Sequence, residues 1–150
     1  PQLGPGKAAR FERHARDVGR LRVTGDPKDA YAFRTPSLRN VTATAPYGHD
    51  GAYATLEAVV RHHLAPVASL RAYDQAQAIL PALAVEDTWV LDRPEEIEAI
   101  AAANGLTPMD LGDAEVANLL AFLGALTDQP SIDGRLGVPE SLPSGLPVER

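Results

Sequence analysis

An all-α fold with long irregular loops is what this sequence predicts, on three observations. Residues 55–64, 92–105 and 112–126 each repeat apolar side chains at helical spacing between recognisable caps. Thirteen Pro and twelve Gly are scattered through 150 residues, so much of the chain between those helices is irregular. At that length, with 45% hydrophobic and 5% aromatic residues, the chain supports one core and is too short for two.

Residues 1–32 are weakly patterned. Gly4-Pro5-Gly6 is a flexible start, and 11–21 is a basic stretch with room for one or two helical turns. His14 lies there among Arg10, Arg13 and Arg16, as part of a solvated face, and Gly25-Asp26-Pro27 is a turn. In the next segment Thr35-Pro36 and Ala45-Pro46 push the preceding residues away from helical geometry, which predicts an extended, turning loop. The turn His49-Asp50-Gly51 closes it: Asp50 can bond its own backbone and Gly51 can take a positive φ.

Thr55 is placed to cap the helix that follows, with Glu57 in its first turn, where a negative charge suits the dipole. At about 100° per residue Leu56, Val59, Val60, His63 and Leu64 share one stripe with His63 near its centre, while His62 falls on the polar flank. Pro66 ends or restarts the helix, and 67–80 carries a second helical pattern broken by Pro81. Residues 82–91 are ambiguous, and Trp89 within them reads as a core or interdomain anchor or as an electron relay. Asp92 with Glu95 three residues on forms a capping box, and Gly105 closes that helix, with Ile97, Ile100 and Ala101 inward and Glu95, Glu96 and Glu98 complementing the dipole. Gly112 with Glu115 begins the last helix, whose stripe is Val116, Leu119, Leu120, Leu123 and Leu126. From Pro130 to residue 150 the chain reads as an extended tail.

A net charge of −6 argues against nucleic acid and anionic membrane as partners and allows a basic donor protein. No stretch approaches the roughly 18 apolar residues of a membrane span, and no signal peptide is visible. Chemically, an inward His63 reads either as a metal ligand or as a core histidine bonded to a carbonyl. Arg34, Arg39 and His49 around an apolar helix face suit a ligand that is greasy in the middle and anionic at its edge, or they satisfy loop carbonyls.

The runs F-R-T-P-S-L-R-N-V (33–41), T-A-P-Y-G-H-D-G (44–51) and T-L-E-A-V-V (55–60) resemble the C-terminal haem domain of bacterial di-haem cytochrome c peroxidases and the related methylamine-utilisation di-haem enzymes. The likeness extends upstream through Val23-Thr24-Gly25-Asp26-Pro27 and downstream through 114–126 into 138–148. It implies a cytochrome c-like helical domain in which a c-type haem passes electrons to a second haem, on an N-terminal domain, where hydrogen peroxide is reduced. His63 matches the distal axial ligand of the C-terminal haem, commonly Met in the peroxidases and Tyr in the methylamine-utilisation branch, and a bis-histidine haem has a lower potential than a His/Met one. Met109, in a loop before the last helix, is the rival ligand. Thr44 and Pro46 match the carbonyls of an interdomain calcium site, and Arg39 and His49 match positions near the haem, where propionates would be their partners.

The chain departs from that pattern in having no cysteine, whereas a c-type haem needs Cys-x-x-Cys-His. The resemblance therefore implies that residues 1–150 are a single domain, the C-terminal part of a larger di-haem protein whose attachment motif lies upstream, and that this piece alone is inactive. It further implies a periplasmic peroxidase drawing electrons from a small cytochrome c or cupredoxin, with calcium bound and a homodimer as the usual assembly. The alternatives are a methylamine-utilisation-type enzyme that oxidises a partner protein, against which His63 counts, and a non-enzymatic electron-transfer or haem-less interaction module.

Overall fold

The computed structural model describes residues 16–79, 90–133 and 143–145. The described residues are helices and irregular chain, with isolated bridges at Gly19–Ala32 and Tyr47–Tyr53 in place of a sheet, so the all-α class predicted from the helical patterns is the class observed. The stretches around His14 and Trp89, and most of the tail, lie outside the described residues.

After a short turn, α1 (Leu21–Thr24), the chain caps itself: Gly25 adopts φ 70°, and Asp26 accepts the amide of Lys28 to start a 3-10 turn at Pro27–Asp29. The loop from residue 33 onward contains further 3-10 turns at Val41–Ala43 and His49–Gly51. α2 (Leu56–Leu64) begins as its cap predicts, with the Thr55 hydroxyl accepting the Ala58 amide at 3.1 Å. It stops because Ala65 precedes a proline and leaves helical geometry, at φ −145° and ψ 64°, and Pro66 then opens α3 (Pro66–Arg71) from the first position, where its missing N–H is not needed.

Three boundaries differ from the sequence reading, each for a local reason. The helical pattern over 67–80 ends at Arg71: Tyr73 turns its hydroxyl to the Ala52 carbonyl at 2.6 Å, and Asp74 accepts the Ala76 amide to begin a 3-10 turn at Gln75–Gln77. α4 (Pro94–Ala102) starts from Arg93, with no side-chain cap, so Asp92 is not its cap. At its other end the Asn104 side chain closes a ring with both backbone groups of Leu106, a role the sequence reading gave to Gly105. Pro130, read as the start of an extended tail, sits in a short helix, α6 (Gln129–Asp133). α5 (Asp113–Ala125) is as predicted, with the Gly112 amide donating to Glu115 Oε2 at 2.8 Å.

The core gathers on the loop rather than between long helices. Tyr47 and Tyr53 exchange backbone hydrogen bonds at 2.7 and 3.0 Å, and with Ala52 they form a buried cluster covered by Val41, Leu56, Val59 and Tyr73. The tight return between them uses positive φ at Gly48, Asp50 and Gly51. At Gly51 a Cβ would also stand 2.9 Å from the Pro46 ring, so glycine is needed there twice over. α2 packs on α3 and α5, α3 packs on α4, and α5 packs on the Val41–Ala43 turn. Glu96, read as complementing the helix dipole, does lie in the first turn of α4, and it is also 5% exposed and hydrogen-bonded to Arg16, which is how a carboxylate becomes tolerable in a packed position.

Candidate functional site

The last turn of α2 carries the two histidines, and the structure exchanges the environments their helical phase predicts. His62 is the half-buried one: its ring lies 5.0 Å from Tyr53 and its Nδ1 is 3.0 Å from Ser69 Oγ. Burial is the main cause that pushes its imidazole down to about 4. The cause is the bend at Ala65-Pro66, which folds α3 back over the flank that α2 taken alone would leave to solvent. His63 is exposed. Its Nδ1 is 2.7 Å from the Val59 carbonyl, one turn back. A carbonyl only accepts, so Nδ1 carries the proton, and in the neutral ring the Nε2 lone pair is left over. Nε2 has no partner among the described residues.

Several apolar side chains of the α4–α5 connection and of α5 are uncovered. Met109 is 60% exposed, Phe122 59%, Leu106 51% and Leu119 38%. The stripe predicted for α5 is therefore buried fully only at Val116. Met109 is tied directly to α2, its amide donating to the Leu64 carbonyl at 2.8 Å. A free imidazole nitrogen on an exposed helix end can ligate a metal ion.

The other candidate residues lie elsewhere. Arg39 is ion-paired with Asp128, and its neighbour Asn40 accepts the Asp128 amide at 2.6 Å, so this stretch is a clasp between the loop and the end of α5. His49 is held 3.1 Å from Asp17 and 3.3 Å from Asp50, with the Phe33 ring 4.0 Å away. It faces a cleft of about 210 Å³ whose walls include Tyr31, Pro66, Leu70 and Ile100. A histidine flanked by two carboxylates is a poor receptor for a third. Thr44 and Pro46 are exposed, and no donor among the described residues reaches either carbonyl, so both oxygens are free for a cation. The described residues contain no group of three or more His, Asp or Glu arranged to hold a metal ion, and the chain has no Cys.

Sequence reasoning missed Tyr53, Tyr73 and Ser69, which support His62. Tyr53 and Tyr73 meet edge-on at 5.7 Å, and burial pushes the Tyr73 phenol up to about 12. Their signal was the aromatic spacing at 47, 53 and 73 within a segment otherwise read only for turns.

No family model matches the chain, and no solved structure matches it significantly. Among curated proteins it is 57% identical over 49 residues to the cytochrome-c peroxidase IdrP1 of Denitromonas iodatirespirans, covering 32% of this chain and 13% of that one. It is 31% identical over 114 residues to cytochrome-c peroxidase IdrP2 of the same organism, covering 76% of this chain and 22% of the other. To the methylamine utilization protein MauG of Methylorubrum extorquens it is 29% identical over 101 residues, 67% of this chain and 20% of MauG. The chain thus spans about a fifth or less of the length of these relatives. Cytochrome c peroxidases match at high identity over a short stretch, they and MauG match at lower identity over two thirds or more of the chain, and the chain belongs to the family of the di-haem cytochrome c peroxidases and MauG.

Proposed function

We propose that this chain is one haem-ligating domain of a larger di-haem oxidoreductase of the cytochrome c peroxidase type, and that His63 supplies an axial ligand to its iron. The observation that carries this reading is the anchored, exposed ring of His63, with Nδ1 on the Val59 carbonyl and Nε2 without a partner among the described residues. A ligand histidine is held in this way by a hydrogen bond to its other nitrogen, which fixes both tautomer and direction.

The residues fit a haem in one respect and not in another. They offer an imidazole, a thioether and apolar side chains, which suit the iron and the macrocycle. They offer no thiol, so covalent attachment must come from cysteines outside these 150 residues. The family's proteins are several times longer than this chain, which leaves room for such a segment. Haem iron, when bound, supplies the one-electron chemistry. The chain's own part is to direct the His63 lone pair, to exclude water with Leu106, Leu119 and Phe122, and to place Arg39 as a propionate partner, which requires it to exchange Asp128. His49, already between two carboxylates, is not carried forward in that role.

The free carbonyls of Thr44 and Pro46 are the proposed contribution to a calcium site; a hard cation takes about six to eight oxygens, so the others come from a neighbouring domain or from water. In the complete protein the proposed reaction is reduction of hydrogen peroxide in the periplasm, with a small cytochrome c or cupredoxin as electron donor.

The test is the complete gene product, matured in a host that attaches c-type haem. Visible and electron paramagnetic resonance spectra of the wild type should show a low-spin iron, and His63→Ala should change its ligation while leaving the haem covalently bound. Unchanged spectra in that variant would remove His63 from the iron.

A further inference from the structure

The cleft beside His49 plays no part in the proposed iron site, and buried polar atoms next to it lack partners. We propose that this cleft binds one molecule of a small neutral phenol, with its ring between the aromatic and aliphatic walls and its hydroxyl against Tyr31 and Glu96. The proposal stands apart from the reading of His63.

The polar end carries the argument. Glu96 is 5% exposed and hydrogen-bonded to Arg16 through Oε1, which leaves Oε2 without a partner; Arg16 Nε is also unpaired. Buried polar atoms are nearly always satisfied, so an orphaned carboxylate oxygen marks a place for a donor. The Tyr31 hydroxyl likewise has no partner among the described residues. Burial raises the pKa of this phenol, and the charges of Arg16 and Glu96 both act on it, Arg16 lowering and Glu96 raising it, so phenol and ion pair are neighbours. Tyr31 is held there at a cost. Its φ is 60°, a left-handed conformation for a bulky residue, clamped by its own amide on the Val18 carbonyl at 3.1 Å and by the Arg20 amide on the Ala32 carbonyl at 2.9 Å. Tyr31 is a wall of the cleft, and Ile100, another wall, stands one turn after Glu96 on α4.

The remaining walls set the size and shape of the ligand. Phe33 and His49 stack with ring centroids 4.0 Å apart, and Pro66, Leu70 and Ile100 add apolar surface. A volume of about 210 Å³ suits a single ring, since an apolar cavity of about 150 Å³ takes up benzene and drug-sized ligands need about 300 Å³ or more. Charge excludes the ionic alternatives. A cation at Glu96 would meet Arg16, which already balances that carboxylate, and an anion would meet Glu96 itself, with Asp17 and Asp50 behind His49. A neutral hydroxyl can donate to Glu96 Oε2 and accept from Tyr31.

The experiment uses the complete protein and isothermal titration calorimetry, with 4-methylphenol as the probe. A saturable site with a Kd of about 1 mM or tighter is expected. Tyr31→Phe should weaken binding about 5–10-fold, the loss of one hydrogen bond. Ala101→Leu, which narrows the cleft, should abolish it, with far-ultraviolet circular dichroism unchanged in both variants. Toluene, which has no hydroxyl, and 4-methylbenzylamine, which is a cation at neutral pH, should each bind at least about tenfold more weakly. No saturable binding of 4-methylphenol, or binding that neither variant alters, would overturn the site. Toluene binding as tightly as 4-methylphenol would show that water satisfies Glu96, and would overturn the role of the hydroxyl.

Discussion

Replacing Glu96 by Gln tests the least expected contact in this domain. Glu96 is 5% exposed in α4, is hydrogen-bonded to Arg16, and leaves its Oε2 without a partner; Arg16 Nε is likewise unpaired. The bond to Glu96 holds the Arg16 guanidinium above its already high range. Removing one member of a fully buried pair costs about 3–5 kcal/mol, because the other charge is left stranded. The Arg16 side chain, however, is 37% exposed, so solvent screens its charge when the partner is lost. The expected cost of Glu96→Gln is therefore smaller, about 1–2 kcal/mol. The pair Arg16→Met/Glu96→Leu removes both charges and the unpaired atoms with them, and should recover most of that loss. Urea unfolding of the wild type, Arg16→Met, Glu96→Leu and the double variant gives the coupling directly. Additive losses, with the double variant as unstable as the two singles combined, would show that the contact carries no coupling and that Glu96 is buried for another reason.

Stability should also fall with acid through His62. Its imidazole titrates near 6.5 when free and near 4 when folded, so between those values the unfolded chain binds a proton that the folded chain refuses. The contribution is fully present above pH 6.5 and is lost as the pH falls towards 4. At pH 5 the loss is about 2 kcal/mol for a buried ring and about 1 kcal/mol once screening of the half-exposed ring is allowed for. Unfolding curves at pH 7.5 and 5 should separate the wild type from His62→Gln by that amount, and equal slopes would refute the assignment. Val116→Ala empties the deepest position of α5 and should lower stability by about 1.5–3 kcal/mol, read as a fall in the urea midpoint with m unchanged.

The parts of this structure legible in the sequence are those fixed within a few residues. Thr55 and Glu115 announce α2 and α5 because a cap needs only its own helix turn. Pro66 announces a boundary because its ring restrains the residue before it. What stayed hidden depends on partners distant in the chain. The burial of Glu96 was hidden because nothing near it signals Arg16, 80 residues away. Helical phase ranked His63 as the inward histidine because it averages over apolar neighbours and cannot know that α3 returns over the opposite flank, bringing Ser69 to His62. The loop core was invisible for a similar reason: Tyr47 and Tyr53 meet through a turn that no periodicity describes.

The exposed stripe of α5 ties these observations to function. A 13-residue helix with Val116 buried but Leu119 and Phe122 open has been given more apolar surface than the described residues cover. Full burial of one such side chain is worth about 1.5–3 kcal/mol, so several left open are a substantial unrealised stabilisation. α5 packs on α2, the helix whose last turn carries His63 with its Nε2 unpartnered among the described residues. If, as proposed, a haem is ligated by His63, the segment that attaches it would be one means of covering that open stripe, so that filling the site and completing the core would go together. On this reading ligation couples to folding, and the domain gains stability from its cofactor in proportion to how much of the open stripe the cofactor closes.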